Sequence, residues 1–297
     1  MRKSDRAVGY VGYVSSFELA LKIEGLRPHT VSCYVRDAKR LGEHCGWPLV
    51  QELRSSDVRS YLEALGKTVV PKTVTEAQLG LRRFFKFLVA EGEITSDPSR
   101  EVPLVRFRVD PQPTYTPDEV SILLAACNRS TSTGVRDYAL VTVLFDSGVR
   151  VGELVSMGIP DWDTRTVLVD GKTGVRTIPL GDSALLATHR YVRRWGITDG
   201  NLWRGKKGPL TTSGVLQMVR RLCGRADVED KGVHAFRRAA AAHMKRLGMN
   251  DSDILQVMGW KDVTMLRRYT AAVADELAQA AHLRFSPSDS LTESHWR

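Results

Sequence analysis

Between Val233 and Thr270 the chain sets His234, Arg237 and Tyr269 among a run of cations. His234 and Arg237 stand three residues apart. A helix over 234–246 would put both side chains on one face, within reach of a single ligand atom. Tyr269 closes the short basic run Arg267-Arg268-Tyr269 and reads as a phenol on a flexible tail. These residue types suit attack on a phosphodiester. A guanidinium matches the non-bridging oxygens with paired hydrogen bonds, and a phenol with help from cations or a base can serve as nucleophile.

Three more positions could join them. Arg150 and Glu153 lie one helical turn apart in Ser147-Gly148-Val149-Arg150-Val151-Gly152-Glu153-Leu154, which breaks a helix and restarts it. Lys172 occupies Gly171-Lys172-Thr173-Gly174, a turn between the β-rich runs 166–169 and 175–178. Trp260 follows Gly259, nine residues before Tyr269. Singly, each has a plainer reading: a surface ion pair, a solvated turn lysine, a core tryptophan, a half-buried tyrosine. Their order along the chain is what carries information.

The elements that must position them fall into two groups. Residues 10–100 read as helices at 11–24, 28–44, 56–65 and 73–91, with apolar residues three and four apart. In the last of these, Leu81, Phe84, Phe85 and Leu88 form a core stripe, while Arg82, Arg83 and Lys86 share the other side and could meet phosphates. Residues 101–115 hold three prolines and read as an extended linker. Thr116-Pro117-Asp118-Glu119 then combines a hydroxyl cap, a proline at the first helical position and a glutamate three beyond the cap. Helices are expected at 117–127, 136–146, 182–194, 212–225, 234–246 and 251–258, the last capped by Asp251 and Asp253 rather than using them as metal ligands. Residues 272–283 read as an amphipathic helix, for docking on its own domain or on a neighbouring copy. The segment 286–297 reads as a disordered tail.

Composition narrows the partners. The chain has 297 residues with a net charge of +9, and both halves are basic, so a polyanion is the expected partner. The four cysteines are scattered without a CxxC pair, which disfavours a disulfide frame or zinc site. No apolar run reaches membrane-span length and the N-terminus lacks a signal-peptide core, so the expected location is cytoplasmic with no membrane partner.

In sequence order, Arg150 with Glu153, Lys172 in a β-turn, His234-x-x-Arg237, Trp260 and Tyr269 resemble the tyrosine recombinase (phage integrase) family, in a short two-domain form similar to Xer-type recombinases and element integrases. The boxes are SGVRVGEL, GKTGVRTIPL, HAFRRAAAAHMKRLG and LQVMGWKDVTMLRRYT. Two positions depart from the family pattern: Arg238 stands where His is frequent, and Trp260 where His is commonest, so that Trp260 would support by packing and one indole N–H.

The resemblance implies a mainly α fold. A helical, SAM-like core-binding domain (10–100) and a linker (101–115) would precede a mixed α+β catalytic domain (116–285) with a small antiparallel sheet. It implies cutting and rejoining of double-stranded DNA at a specific site through a 3′-phosphotyrosine, with no cofactor or metal, by a homo-oligomer that is dimeric on each site and tetrameric at synapsis. Tyr269 would be nucleophile, His234 base or hydrogen-bond partner, Lys172 general acid, Arg150 and Arg237 phosphate clamps, and Glu153 the residue orienting Arg150. The alternatives are a non-catalytic DNA-binding regulator on the same scaffold and a type IB topoisomerase.

Overall fold

A computed structural model describes residues 3–106, 112–171, 174–205 and 207–289. The chain divides into two compact units, 1–109 and 110–297.

The first unit is helical. Helices α1 (Lys3–Ile23), α2 (Pro28–His44), α3 (Ser55–Gly66) and α4 (Pro71–Ala90) enclose a core of Tyr10, Phe17, Leu41, Leu81, Phe84 and Phe85. α1 begins eight residues before the expected 11, and α4 begins at Pro71, whose fixed φ suits the first turn. The glycines Gly25, Gly46 and Gly92 follow helix ends at positive φ, as helix stops require. Gly66 is instead the last residue of α3. Gln78, fully buried on α4, donates from Nε2 to the carbonyls of Val102 and Pro103 at 3.0 and 2.9 Å and accepts from the Val105 amide at 3.2 Å. The segment from Val102 to Val105 is thereby strapped along α4.

The second unit wraps α6 (Ser132–Ser147) with α5 (Pro117–Ala125), α8 (Asp182–Trp195), α9 (Thr212–Ala226) and α10 (His234–Arg246). Thr116 forms the expected capping box, accepting from the Glu119 amide at 3.1 Å while Glu119 accepts from the Thr116 amide at 2.8 Å. α6 is capped by Gly148 at φ 58°, and α7 (Val151–Ser156) starts after two intervening residues. Strands β1 (Thr166–Gly171) and β2 (Gly174–Pro179) pair antiparallel from Thr166–Pro179 to Gly171–Gly174. A second two-residue ladder joins β3 (Arg204–Gly205) and β4 (Gly208–Pro209).

α10 serves two cores. Phe236 and Ala239 pack into the main one. Ala240 and Ala241 face a smaller cluster with Ile254, Met258, Trp260 and Leu266 from α11 (Asp251–Met258) and α12 (Val263–Thr270). The run Ala239–Ala242 is strongly helix-forming and its small side chains admit close neighbours. α13 (Ala274–Arg284) buries none of its residues; Val273 just before it is buried, and Glu276 pairs with Arg246 of α10. No helix among the described residues is long and apolar enough to cross a membrane.

Candidate active site

Three chain segments, 150–153, 234–237 and 260–269, carry the predicted catalytic and supporting residues that the structure describes. Arg150 is the N-cap residue of α7. Its amide donates to Glu153 Oε2 at 3.0 Å and its Nη1 to Glu153 Oε1 at 2.7 Å. The Glu153 side chain is 2% exposed and that of Arg150 29%. Glu153 therefore holds Arg150 at both backbone and guanidinium. Burial alone would raise the Glu153 carboxyl; the Arg150 hydrogen bonds and the Arg176 charge outweigh it and hold the group below its ordinary value.

Arg237, on the first turn of α10, is 1% exposed. Its Nη1 donates to the Gly148 carbonyl at 2.6 Å and its Nη2 to the Met258 carbonyl, with the guanidinium carbon 4.9 Å from the Trp260 ring centre. Burial, then the Arg150 charge, lower its pKa to about 9, so it stays cationic at neutral pH. Trp260 stacks on Tyr269 from its other neighbour, with ring centres 4.9 Å apart and planes at 25°. The Tyr269 hydroxyl lies 2.6 Å from His234 Nε2.

His234 opens α10 and is exposed. Partial desolvation, then the charges of Arg238, Arg237 and Arg150, depress its pKa to about 4. The ring is therefore neutral at pH 7, and with its proton on Nδ1 it presents Nε2 as an acceptor to the phenol.

Two expectations change. Tyr269 is not on a flexible tail: it lies in α12, whose N-cap Asp262 accepts from the Thr264 amide at 2.8 Å, with Leu266 and Thr270 buried. Leu266 and Tyr269, three apart, carry the helical spacing that the basic run obscured. α11 is capped by Asn250, which accepts from the Asp253 amide, while Asp251 and Asp253 occupy the first turn and Lys245 pairs with Asp251.

Lys172 lies outside the described residues; the paired glycines Gly171 and Gly174 flank it. In the first unit, Arg82 Nη2 donates to the Val102 carbonyl at 2.8 Å, Arg83 pairs with Glu24, and Lys86 is exposed.

Sequence reasoning missed Arg176. From β2 its Nη2 meets Glu153 Oε2 at 3.0 Å and its Nη1 donates to the Val257 carbonyl. The available signal was strand alternation: Arg176 shares a face with the buried Ile178, and a cation on an inward face needs a partner. Arg238, noted only as a departure from a pattern, donates from Nε to the Pro113 carbonyl at 2.8 Å and is the nearby charge acting most on His234.

Residues 113–276 match the Phage integrase family, and residues 14–92 match the Phage integrase, N-terminal SAM-like domain. The chain is 26% identical over 285 residues to tyrosine recombinase XerC of Anoxybacillus flavithermus, covering 88% of this chain and 95% of that one. It is 30% identical over 245 residues to the y4rA protein of Sinorhizobium fredii, covering 77% of this chain but 59% of that longer relative. In fold it is similar to the Tn1549 transposon integrase in complex with transposon right end DNA, with TM-score 0.76 and 18% identity over 92% of this chain and 98% of that one. The chain therefore belongs to the phage integrase family: it is a tyrosine recombinase, an enzyme that breaks and rejoins DNA through a tyrosine.

Proposed function

We propose that Tyr269 is the nucleophile of site-specific DNA strand exchange and that Arg150, Lys172, His234, Arg237 and Trp260 complete its site. The observation that carries this is one continuous chain of contact. The Tyr269 hydroxyl bonds His234 and its ring stacks on Trp260, which in turn stacks under the Arg237 guanidinium.

In cleavage the Tyr269 oxygen attacks phosphorus and its proton passes to His234 Nε2. The bond from phosphorus to the 5′-oxygen breaks, and the leaving oxygen takes a proton from Lys172. Arg150 and Arg237 hold the non-bridging oxygens as charge gathers on them. The products are a 3′-phosphotyrosine and a free 5′-hydroxyl. Ligation is the same sequence reversed, so the bond energy is kept and no nucleotide cofactor is consumed.

The substrate is double-stranded DNA bearing a specific site, which sets the enzyme's work in the cytoplasm. Residues 10–100 grip the duplex, with Lys86 free for phosphate and Arg82 and Arg83 released to it only by giving up internal partners. α13 buries none of its own residues, which supports docking on a second copy, dimeric on each site and tetrameric at synapsis.

A nicked suicide substrate tests the chemistry. Wild-type protein should form a covalent DNA adduct in EDTA, and Tyr269→Phe should form none. An adduct that survives Tyr269→Phe, or that chelator abolishes, would overturn the reading.

A further inference from the structure

Arg176 has no part in the chemistry described above, yet it is the most constrained cation around the site after Arg237. Its side chain is 15% exposed. One guanidinium is divided between two acceptors on different elements, the Glu153 carboxylate on α7 and the Val257 carbonyl near the end of α11. Two glycines clear the space it works in. A Cβ at Gly259 would lie 2.9 Å from Arg176 Nε, and a Cβ at Gly171 would collide with Glu153 Oε1. Glu153 Oε1 is the atom that accepts from Arg150 Nη1.

We infer that Arg176 is a positioning residue for the phosphate clamp: anchored on the Val257 carbonyl, it fixes Glu153, and Glu153 fixes Arg150. The carboxylate needs both cations to hold one orientation. Arg150 alone engages it through flexible side-chain geometry on one oxygen and a backbone amide on the other. Arg176 supplies the second fixed point from a paired strand. Only a planar guanidinium can span the two acceptors; the ammonium of a lysine is a single point charge. Without Arg176, Arg150 would keep its charge and its partner but lose its registry with the scissile phosphate, and a misplacement on the order of 1 Å costs about 10²-fold in rate.

The inference rests on the strand-exchange reading, and the test separates the two. Cleavage is measured in single turnover on an ordinary site and on one whose scissile phosphate is a methylphosphonate. There a methyl group replaces one charged oxygen, and the clamp has less charge to neutralise. Arg176→Gln should bind DNA much as wild type does, melt at a lower temperature because the Glu153 ion pair and the Val257 carbonyl contact are both weakened, and cut the ordinary phosphate about 10²-fold more slowly at a temperature where both proteins are folded. On the neutral phosphonate its deficit should shrink to below about tenfold. Arg176→Lys should share the defect. Gly171→Ala, whose Cβ presses on Oε1 of Glu153 where Arg176 holds Oε2, should reproduce the same pattern and carries the test if Arg176→Gln does not fold. Wild-type cleavage by Arg176→Gln, full rescue by Arg176→Lys, or an undiminished deficit on the phosphonate would each overturn the inference. Those results leave the strand-exchange reading standing, whereas an adduct formed by Tyr269→Phe would remove that reading itself.

Discussion

Replacing Arg237 by lysine should damage the fold as well as the reaction, and replacing Arg150 by lysine should damage only the reaction. Arg237 has two N–H groups committed to buried carbonyls, those of Gly148 and Met258, and its face lies over Trp260. Lysine carries its three N–H groups on one nitrogen, which cannot fill the separate places of Nη1 and Nη2, so one carbonyl loses its partner, at about 1–3 kcal/mol. Loss of the guanidinium–indole contact adds roughly 0.5–2 kcal/mol. Arg237 Nε is buried with no partner, and lysine removes that liability, which offsets part of the cost. The two losses sum to about 1.5–5 kcal/mol and the offset trims that to a net of about 1–4 kcal/mol, a fall in Tm of roughly 2–16 °C for a unit of this size. Arg150 makes one side-chain ion pair from a partly exposed position, which a lysine can keep, so its replacement should cost under about 1 kcal/mol. Both variants should lose about 10²–10³-fold in adduct formation, Arg150→Lys because an ammonium lacks the planar fork that matches two phosphate oxygens, and Arg237→Lys because the guanidinium that supports Trp260 and the site is gone. Thermal unfolding and single-turnover adduct formation on one suicide substrate read the two effects separately. Equal Tm values for the two variants would refute the claim that Arg237 is a buried strut.

His234 and Trp260 give two further tests. Because the folded pKa of His234, about 4, lies below its unfolded value of 6.5, the unfolded chain binds more protons between those pH values. Stability from the neutral ring is therefore full above about pH 6.5 and lost as pH falls toward 4; the rate of adduct formation should likewise hold to about pH 5. An acid limb near 6.5 that His234→Asn abolishes would refute the neutral-base assignment. At Trp260, phenylalanine keeps a ring between Arg237 and Tyr269, whereas alanine removes it. Trp260→Phe should cleave within about tenfold of wild type, and Trp260→Ala should fall much further and lose about 3–5 kcal/mol of stability. Equal losses in both would assign the role to the indole N–H instead of the stack.

What the sequence displayed and what it hid divide along a physical line. Signals fixed by the local backbone were legible: the hydroxyl and glutamate around Thr116, the glycine that ends α6 before Arg150, the strands on either side of Lys172, and the mainly helical fold with its SAM-like first unit. The one-turn spacing of Arg150 and Glu153 gave their pairing, because neighbours on a helix must meet. Arg176 was hidden because its partners lie 23 and 81 residues away and only the fold brings them together. The helix around Tyr269 was hidden because Arg267 and Arg268, both exposed, masked the few apolar residues that pack it. α1 was misjudged at its start because its first residues carry little apolar spacing.

The harder problem for this site is holding cations together, and helix ends solve it. Arg150, Arg176 and Arg237 crowd around a single buried carboxylate, Glu153, and the charges of Arg150 and Arg176 add to burial in pushing the Arg237 pKa down. The remaining negative potential comes from carbonyls at two helix C-termini, where backbone oxygens lack helical partners and carry partial negative charge. α6 and α11 each end on a glycine in the left-handed region, Gly148 at φ 58° and Gly259 at φ 61°. Those turns release the oxygens of Gly148, Val257 and Met258, and all three accept from Arg237 or Arg176. A side chain at either glycine would strain the turn and press on its neighbours: Met258 and Ala240 at Gly148, Arg176 at Gly259. Arg237 and Arg176 stay cationic but are each held by backbone oxygens that cannot titrate, and Arg176 also by Glu153. That leaves Arg150, the most exposed of the three, with the greatest capacity to accept a phosphate's charge.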